Sequence, residues 1–312
     1  MLVSLATIVS YLRSENIVFD VLGEDIKVQK IMAFSSSMEN ALSYFIGTKP
    51  PSNLANIKNS IIICELEKAV VFPPSNSVIY TKHPQLCFYI ASSLFEEKKR
   101  AFIHPQAVVN SSSKIGTNVS IGPFSVLEEC EIGDNVTIGA SVNIKKGTIV
   151  EGNVVIQSNT VLGVTGVIWT WNANQKVMCV QTGNTIIREG VFLGSNISIV
   201  KGAFENKPTV IGSKSMISHG TMIGHGVNIG DKCHIANNVS LAGSVIIGNN
   251  SFLGSGVVIR PHVTIPPDTI VGAGAVVVKN YLTEGIVLVG NPAREMQRNE
   301  SILSGVPAPY SR

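Results

Sequence analysis

Imidazole is the side chain in this sequence best suited to take up a proton near neutral pH. Four of the six histidines lie between residues 211 and 277, namely His219, His225, His234 and His262. His219 and His225 each follow an aliphatic residue by two positions, whereas His234 directly precedes Ile235. A surface histidine is most often a solvated turn residue, so residue type alone gives none of the four a catalytic role. Which of the four side chains lie near one another depends on the secondary-structure elements that carry them.

The four histidines lie where an aliphatic residue occupies every sixth position, from Ile211 to Val277. The same spacing occurs earlier, over 103–127, 132–162 and 187–199. A period of six fits neither an α-helix, which repeats near 3.6 residues, nor a flat strand, which repeats near 2. It is the hexapeptide signature of a parallel β-helix, in which short strands and tight turns wind around a three-sided prism. We predict an all-β parallel β-helix of about eight to nine coils, with three hexads in each coil.

Three hexads per coil place His262 two coils beyond His225 and near the same edge, about 10 Å along the axis. Two histidines on one edge could serve the two ends of a transferred group. Zinc binding is the competing interpretation, because some trimeric β-helices hold zinc through histidines of neighbouring subunits. The closest histidine pair here is six residues apart, and no carboxylate lies close to His262 in the sequence, so we predict no metal site.

Two excursions interrupt the repeat, from Gly163 to Ile186 and from Val200 to Val210. Long departures from a regular scaffold more often serve function than stability. The first excursion contains both tryptophans of the chain, Trp169 and Trp171. An aromatic plug packed on a neighbouring element and a wall over a substrate cleft both fit this composition. Under the second interpretation Trp169 is a candidate substrate contact.

Residues 1–100 lack the hexads, and we expect them to form a separate small α+β domain. Helices are predicted from Ser4 to Leu12 and from Pro84 to Phe95. Strands are predicted at 17–22, 41–46, 60–64 and 69–72. The charged segment 96–100 joins this domain to the β-helix at 101–293, and a short tail follows at 294–312.

Composition argues against several classes of function. Charged residues make up 14% of the chain and the net charge is +3, without the basic cluster that nucleic-acid binding needs. No apolar run reaches the ~18 residues of a membrane-spanning helix, so no stable membrane insertion is expected. The five cysteines are odd in number and scattered, which favours free thiols in a reducing compartment. The N-terminus lacks a basic leader, and we expect a cytoplasmic protein.

Three short stretches carry a resemblance to a known family. They read Lys-Gly-Ala-Phe-Glu-Asn at 201–206, Thr-Val-Ile-Gly at 209–212 and Gly-His-Gly-Val at 224–227. They resemble the Arg-Gly-Ala loop, the Thr-Ile-Ile-Gly strand and the catalytic Ala-His-Asn turn of the UDP-3-O-acylglucosamine N-acyltransferases of lipid A biosynthesis. That family joins a small uridine-recognition domain to a left-handed hexapeptide β-helix. Counting onward without a gap, its catalytic histidine falls on His225 and a second family histidine on His262.

The resemblance implies a mechanism and an assembly. His225 would act as the general base for an amine or hydroxyl group on a sugar, which attacks a thioester carbonyl, with His262 on the donor side. Backbone N–H groups near Gly243 would stabilise the oxyanion. Such enzymes work as homotrimers with the site between subunits. His219 and Asn237 are taken as further substrate contacts.

The chain departs from that family at three places. Gly226 replaces the asparagine that follows the catalytic histidine. The run that carries the uracil-stacking pair corresponds to 44–50, where Tyr44 and Lys49 remain but Pro50 stands in place of the second ring. The long C-terminal helix that recruits acyl carrier protein is replaced by Val-Gly-Asn-Pro-Ala-Arg at 289–294. This ending resembles that of hexapeptide acetyltransferases that use acetyl-CoA.

The resemblance of residues 289–294 to the acetyltransferase ending implies a short acyl donor. The last coils are expected to hold the pantetheine arm of acetyl-CoA. The candidate acetyl-CoA contacts are Gly254, Gly272, Ala273, Lys279, Asn291, Pro292 and Arg294. We predict a trimeric transferase that moves an acetyl group to an amino group of a nucleotide-linked sugar, destined for a surface glycan such as lipopolysaccharide or O-antigen. Three alternatives stay open: a lipid A N-acyltransferase that uses 3-hydroxyacyl carrier protein, a sugar O-acetyltransferase, and a non-catalytic solenoid scaffold.

Overall fold

The computed structural model describes residues 2–35, 37–46, 54–65, 72–96 and 101–297. The chain divides into two compact units, 1–98 and 99–312. Lys49, Pro50, residues 97–100 of the predicted linker and the tail beyond residue 297 lie outside the described residues. Within the described ranges, no helix has the length and apolar character needed to cross a membrane.

The first unit is built on a five-stranded sheet. In spatial order its strands are Asp20–Leu22, Ser77–Tyr80, Ile61–Cys64, Ala41–Phe45 and Lys30–Ile31, with the first antiparallel to its neighbour and the others parallel. Two small sheets pair Val3–Ser4 with Lys27–Val28 and Ser37–Glu39 with Asn56–Lys58. The helices are α1, Leu5–Ser14, and α2, Pro84–Ser92, and the 3₁₀ turn Ser93–Phe95 follows α2.

Both predicted helices are present with shifted ends. α1 begins one residue later than predicted because Ser4 is its N-cap, and Ser4 Oγ accepts a hydrogen bond from the Thr7 N–H at 3.1 Å. The strand Ser77–Tyr80 is absent from the prediction, although its Val-Ile-Tyr run is of residue types common in strands. Of the strand predicted at 69–72, only Phe72 is among the described residues, and it lies outside any strand.

The second unit is a three-sided parallel β-helix, and each complete coil adds one strand to each of three sheets. Sheet 1 contains Val108–Val109, Val126–Leu127, Asn143–Ile144, Val161–Val164, Ser198–Val200, Met222–Ile223, Ser240–Leu241, Val258–Ile259 and Val276–Val277. Sheet 2 contains Lys114–Ile115, Glu131–Ile132, Thr148–Val150, Thr185–Ile187, Thr209–Ile211, Asn228–Ile229, Ile246–Ile247 and Thr264–Ile265. Sheet 3 contains Ser120–Ile121, Thr137–Ile138, Val155–Ile156, Phe192–Leu193, Met216–Ile217, His234–Ile235, Phe252–Leu253, Ile270–Val271, Val287–Val289 and, antiparallel at its end, Arg294–Met296.

Aliphatic side chains at the sixth positions fill the interior and stack from coil to coil. Ile223 pairs with Leu241 in the next coil, and both are almost fully buried. Where the sequence drops one residue, Ile115 pairs with Ile132, so the change of phase is absorbed within the ladder. Ile103 is the exception, because it forms only an isolated bridge and is 48% exposed. The hexapeptide β-helix predicted from the sequence is confirmed from the second hexad onward.

Turns between strands stack into edges, two of which bear on the site. The turns at 207–208, 225–226, 243–244, 261–262 and 279–280 form what we call the histidine edge, and those at 195–196, 219–220, 237–238, 255–256 and 273–274 form the second edge. Along the histidine edge, the Ser244 N–H donates to the His225 carbonyl at 2.8 Å. Along the second edge, the Gly256 N–H donates to the Asn237 carbonyl at 2.9 Å. His262 therefore shares an edge with His225, one position further along its turn.

Candidate active site

His225 is half-buried in a turn of the histidine edge, between sheets 1 and 2. The backbone of this turn is held from both neighbouring coils. The Gly226 N–H donates a hydrogen bond to Thr209 Oγ1 at 2.8 Å, and the His225 carbonyl accepts one from the Ser244 N–H at 2.8 Å. Thr209 is fully buried, so its hydroxyl is fixed by the surrounding packing. The backbone from which the His225 side chain projects is therefore fixed by both neighbouring coils.

The imidazole of His225 lies against the backbone of Gly243 in the next coil. A Cβ atom added at Gly243 would overlap the ring, since even its Cδ2 atom would be only 2.9 Å away. Glycine is the residue that permits this close approach of a side chain to the turn. The Gly243 carbonyl in turn accepts a hydrogen bond from the His262 N–H at 3.1 Å. The three predicted catalytic residues thus follow one another along successive coils.

A cleft of about 690 Å³ opens beside the histidine edge, and both His225 and His262 line it. The second excursion and the base of the first supply much of the remaining wall. Prominent among the lining residues are Ile168, Phe204, Val210 and Ile246, which are apolar, and Lys207 and Asn228, which are polar. A largely apolar cleft with a few converging polar groups is typical of a site that binds a small molecule.

Burial lowers the pKa of His225 below its ordinary value of 6.5, and the nearby charge of His262 lowers it further. The neutral form of the ring, which can take up a proton, therefore predominates at pH 7. Burial also lowers the pKa of His234. That ring lies on sheet 3 against Phe252, with the centroids 5.1 Å apart, and does not line the cleft.

The predicted substrate contacts His219 and Asn237 lie on the second edge, away from the cleft in the same chain. His219 Nδ1 accepts a hydrogen bond from the Ser195 N–H at 2.8 Å, which is a turn-stabilising role. Trp169 lies on a hairpin whose first flanking residue, Ile168, lines the cleft. The structure thus brings Trp169 close to the rim but leaves the other two on a different edge.

Tyr44 lies on a strand of the first unit, with its ring centroid 4.8 Å from that of Phe88 and 6.3 Å from that of Tyr89. Burial raises the pKa of Tyr44, and Tyr89 raises it further. The packing against Phe88 occupies part of the aromatic surface that the sequence assigns to uracil. Lys49, its predicted companion, lies outside the described residues.

The predicted acetyl-CoA contacts are spread over two edges and the final coil. Gly254 and Ala273 come together at the second edge, where a Cβ on Gly254 would lie 2.6 Å from the Ala273 N atom, and Gly272 packs beside Val289. Lys279 lies on the histidine edge instead, with Nζ 5.4 Å from the Tyr281 ring centroid. Asn291, Pro292 and Arg294 follow in the final coil, where Arg294 pairs with Val289. Within one chain these residues do not form a single site.

The cleft contains residues that the sequence prediction lacks, above all Lys207 and Phe204. A signal for Lys207 exists, because it precedes His225 by the 18 residues that separate equivalent positions on neighbouring coils. Phe204 lies in the second excursion, whose path no repeat pattern specifies.

Among the described residues, no group of three or more His, Cys, Asp or Glu side chains is placed to hold a metal ion. The arrangement supports acid–base chemistry by a neutral imidazole.

Comparisons with known proteins agree with this architecture. The profile of the family described as "Bacterial transferase hexapeptide (six repeats)" matches residues 208–243 and 244–279, and that of "Hexapeptide repeat of succinyl-transferase" matches 131–163. The chain is similar to a UDP-3-O-acylglucosamine N-acyltransferase of Pseudomonas entomophila, with 27% identity over 59% of this chain and 58% of that protein. The corresponding protein of Acinetobacter baylyi is 28% identical over 59% of this chain and 57% of its own length.

A third relative, the bifunctional protein GlmU of a Thermotoga species, is 29% identical over 37% of this chain and 35% of that protein. The chain thus spans less than two thirds of the length of each of these three curated relatives. The resemblance found in the sequence to UDP-3-O-acylglucosamine N-acyltransferases is confirmed.

Solved structures support the fold. A UDP-N-acetylglucosamine O-acyltransferase from Moraxella catarrhalis superposes with a TM-score of 0.58 at 23% identity, over 65% of this chain and 76% of that one. A UDP-N-acetylglucosamine acyltransferase from Campylobacter jejuni gives a TM-score of 0.56 at 21% identity, over 66% of this chain and 78% of its own. These neighbours are left-handed β-helices, and the predicted fold class is confirmed.

The coupling between the two histidines generates a first prediction. His262→Gln removes the electrostatic interaction that lowers the pKa of His225, so we expect that pKa to rise toward 6.5 while staying below it, because the burial remains. NMR titration of the imidazole C–H signals measures the shift. His219→Gln, on the second edge, is the control and should leave the His225 titration in place. An unchanged pKa in His262→Gln would contradict the coupling.

Proposed function

We propose that this chain is an acyltransferase that moves an acyl group from a thioester to an amino group of a nucleotide-linked sugar. The observation that carries the proposal is the neutral imidazole of His225, held against Gly243 in a cleft that it shares with His262. The similarity to proteins named as UDP-3-O-acylglucosamine N-acyltransferases supports the same class of reaction.

The proposed reaction uses His225 as the general base. Its neutral ring takes a proton from the amine as the amine nitrogen attacks the thioester carbonyl and the new C–N bond forms. The Gly243 N–H is the proposed donor to the oxyanion of the tetrahedral intermediate. When the C–S bond breaks, the thiolate leaves and takes the proton from the imidazolium, which restores neutral His225. His262 and Lys207 would favour the negative charge that develops on the donor side.

We propose a donor with an acyl chain longer than acetyl, carried by an acyl carrier protein. The apolar wall of Ile168, Phe204, Val210 and Ile246 supports this choice, since an acetyl group needs far less apolar surface. Acetyl-CoA is the second candidate, and the acetyltransferase-like ending at 289–294 favours it. The product would be an acylated sugar for a surface glycan.

We further propose a homotrimer in the reducing cytoplasm. The five cysteines, all of them among the described residues, form no disulfide with one another, which fits such a compartment. In a trimer, an edge of one chain would face an edge of its neighbour, which offers a way for residues on the second edge to reach a cleft on the histidine edge. Sedimentation of the full chain tests the assembly.

Removal of the base is the central test. We expect His225→Ala to lower kcat by about 10²–10⁴-fold with little change in the KM of the sugar nucleotide. For the unaltered protein, kcat/KM should rise with pH through the His225 pKa, below 6.5, and then level off, because only the neutral ring accepts a proton. His104→Ala, on the first coil, is the control. Full turnover in His225→Ala would refute the proposed base.

Gly243→Ala tests the placement of the base without altering it. The added methyl group overlaps the imidazole, so we expect the ring to be displaced and kcat to fall by about 10²-fold or more. Gly152→Ala is the matched control, because a Cβ there meets no atom closer than 3.3 Å. Turnover is measured on both variants after circular dichroism has shown equal folding. Equal activity in the two variants would contradict the contact.

The donor is identified by direct comparison. Mass spectrometry of products formed from UDP-linked amino sugars should show a larger kcat/KM with 3-hydroxyacyl carrier protein than with acetyl-CoA. Phe204→Ala should reduce turnover of the long donor more than that of the short one, because the long chain loses apolar contact. Hydroxylamine treatment separates an amide product, which resists it, from the ester that O-acylation would give. A preference for acetyl-CoA would instead favour the second candidate.

A further inference from the structure

The first excursion folds into a β-hairpin with strands Trp169–Asn172 and Gln175–Met178, all of whose residues are exposed. Its cross-strand pairs are Trp169 with Met178, Thr170 with Val177, Trp171 with Lys176 and Asn172 with Gln175. Because side chains alternate between the faces of a strand, both indoles share one face with Lys176 and Met178. We call this the tryptophan face. The opposite face is largely polar.

The base of the hairpin is fixed beside the cleft. The Cys179 N–H donates a hydrogen bond to the Ile168 carbonyl at 2.8 Å, which closes the hairpin at its open end. The Thr182 N–H donates to the Ala203 carbonyl at 3.2 Å, which ties the returning chain to the second excursion. Ile168 and Ala203 both line the cleft that contains His225. The hairpin that carries the tryptophan face is therefore rooted at the rim of the candidate active site, with Ile168 and Thr170 on its other face.

The tryptophan face combines aromatic surface with one positive charge. The indole rings of Trp169 and Trp171 are nearly perpendicular, with centroids 5.1 Å apart, and Lys176 Nζ lies 4.5 and 5.5 Å from those centroids. Trp171 is 57% exposed, so much of its ring remains open for stacking. Lys176 is the only charged residue between Glu151 and Arg188, and no carboxylate in this segment opposes an anion.

We propose that the tryptophan face binds the nucleoside diphosphate portion of a substrate, an inference that rests on the proposed function. The base would stack on Trp171, and Lys176 would leave the indoles to pair with the phosphates. Trp171 is three residues beyond Ile168, about 10 Å along an extended strand. A ribose and a diphosphate can cover that distance, so a nucleotide stacked on Trp171 would pass them round the edge of the hairpin and place its sugar in the cleft.

Two other occupants fit the observations less well. A membrane surface would contact an apolar tip or several basic residues, whereas the tip here reads Asn-Ala-Asn-Gln and Lys176 is its only charge. A second copy of the chain would bury Lys176 together with the indoles, and this segment provides no carboxylate to pair with the buried ammonium group. Both occupants are outcomes of the test below.

The chain contains two tryptophans, and both lie on this face, so the fluorescence of selectively excited tryptophan reports on it alone. We expect UDP to quench the emission saturably, uridine to bind more weakly because it lacks the phosphates, and rising salt to weaken the UDP response. Quenching by UDP but not by CoA would show that the tryptophan face binds the nucleotide of the acceptor sugar. Quenching by CoA but not by UDP would show that it binds the nucleotide of the acyl donor. Quenching by neither would overturn the proposal, as would a blue shift seen only with lipid vesicles or only with rising protein concentration.

Variants of the two faces sharpen the test. Loss of a base–aromatic stack should weaken UDP binding in Trp171→Ala by about 5- to 100-fold, measured on the remaining Trp169, while Trp171→Phe retains a ring and most of the affinity. Lys176→Gln should reduce UDP binding to the level of uridine. Thr170→Ala, on the opposite face of the same strand, is the matched control. Equal affinities in Trp171→Ala and Thr170→Ala would overturn the proposal.

Measuring UDP binding and substrate turnover separately distinguishes a failure of this inference from a failure of the proposed reaction. His225→Ala should retain the UDP-dependent quenching while turnover is lost. If no acyl donor gives product but UDP still quenches, the reaction is wrong and the binding site stands. A third outcome is that the unaltered protein forms product, that Trp171→Ala keeps the same KM for the sugar nucleotide, and that Tyr44→Ala raises this KM. The nucleotide then binds in the first unit, and the tryptophan face is not its site.

Discussion

The stacking of one coil directly on the next is the constraint on which the site depends. Hydrogen bonds and buried aliphatic residues hold positions 18 residues apart in register along the axis, as in the pair Ile223 and Leu241. Strands in such a ladder are separated by about 4.8 Å. Groups that are distant in the chain are therefore fixed within a few ångströms along an edge. No helix or long loop is needed to bring His225, Gly243 and His262 together.

That spacing also sets the chemistry of the imidazole. A ring that projects along the edge must pass over the turn of the next coil, and it can do so only where that turn has no Cβ, as at Gly243. Contact with the turn removes water from His225 and disfavours its charged form. His262, on the coil beyond, adds repulsion from the same direction. Packing and charge thus act in the same sense, and both keep His225 neutral.

The sequence predicts the regular part of this structure well because a period of six leaves little freedom. Strand positions, the change of phase before Ile132 and the shared edge of His225 and His262 all follow from counting residues. The cleft does not follow, since Phe204 lies in an excursion without a repeat. Residues such as Asn237 are placed by the ladder on the second edge, where only a neighbouring chain would connect them to His225. The substrate contact predicted for Asn237 therefore depends on the proposed trimer.

A three-sided prism has flat faces and narrow edges, so it cannot enclose a substrate by itself. Both excursions leave the prism after strands of sheet 1, Val161–Val164 and Ser198–Val200, which stack directly below Met222–Ile223. The turn that follows Met222–Ile223 carries His225. Chain that leaves the same edge on the two preceding coils must extend beside this turn, and it forms the wall that contains Ile168 and Phe204. The cleft therefore arises because the repeat is broken twice, on adjacent coils, at the edge that carries the base.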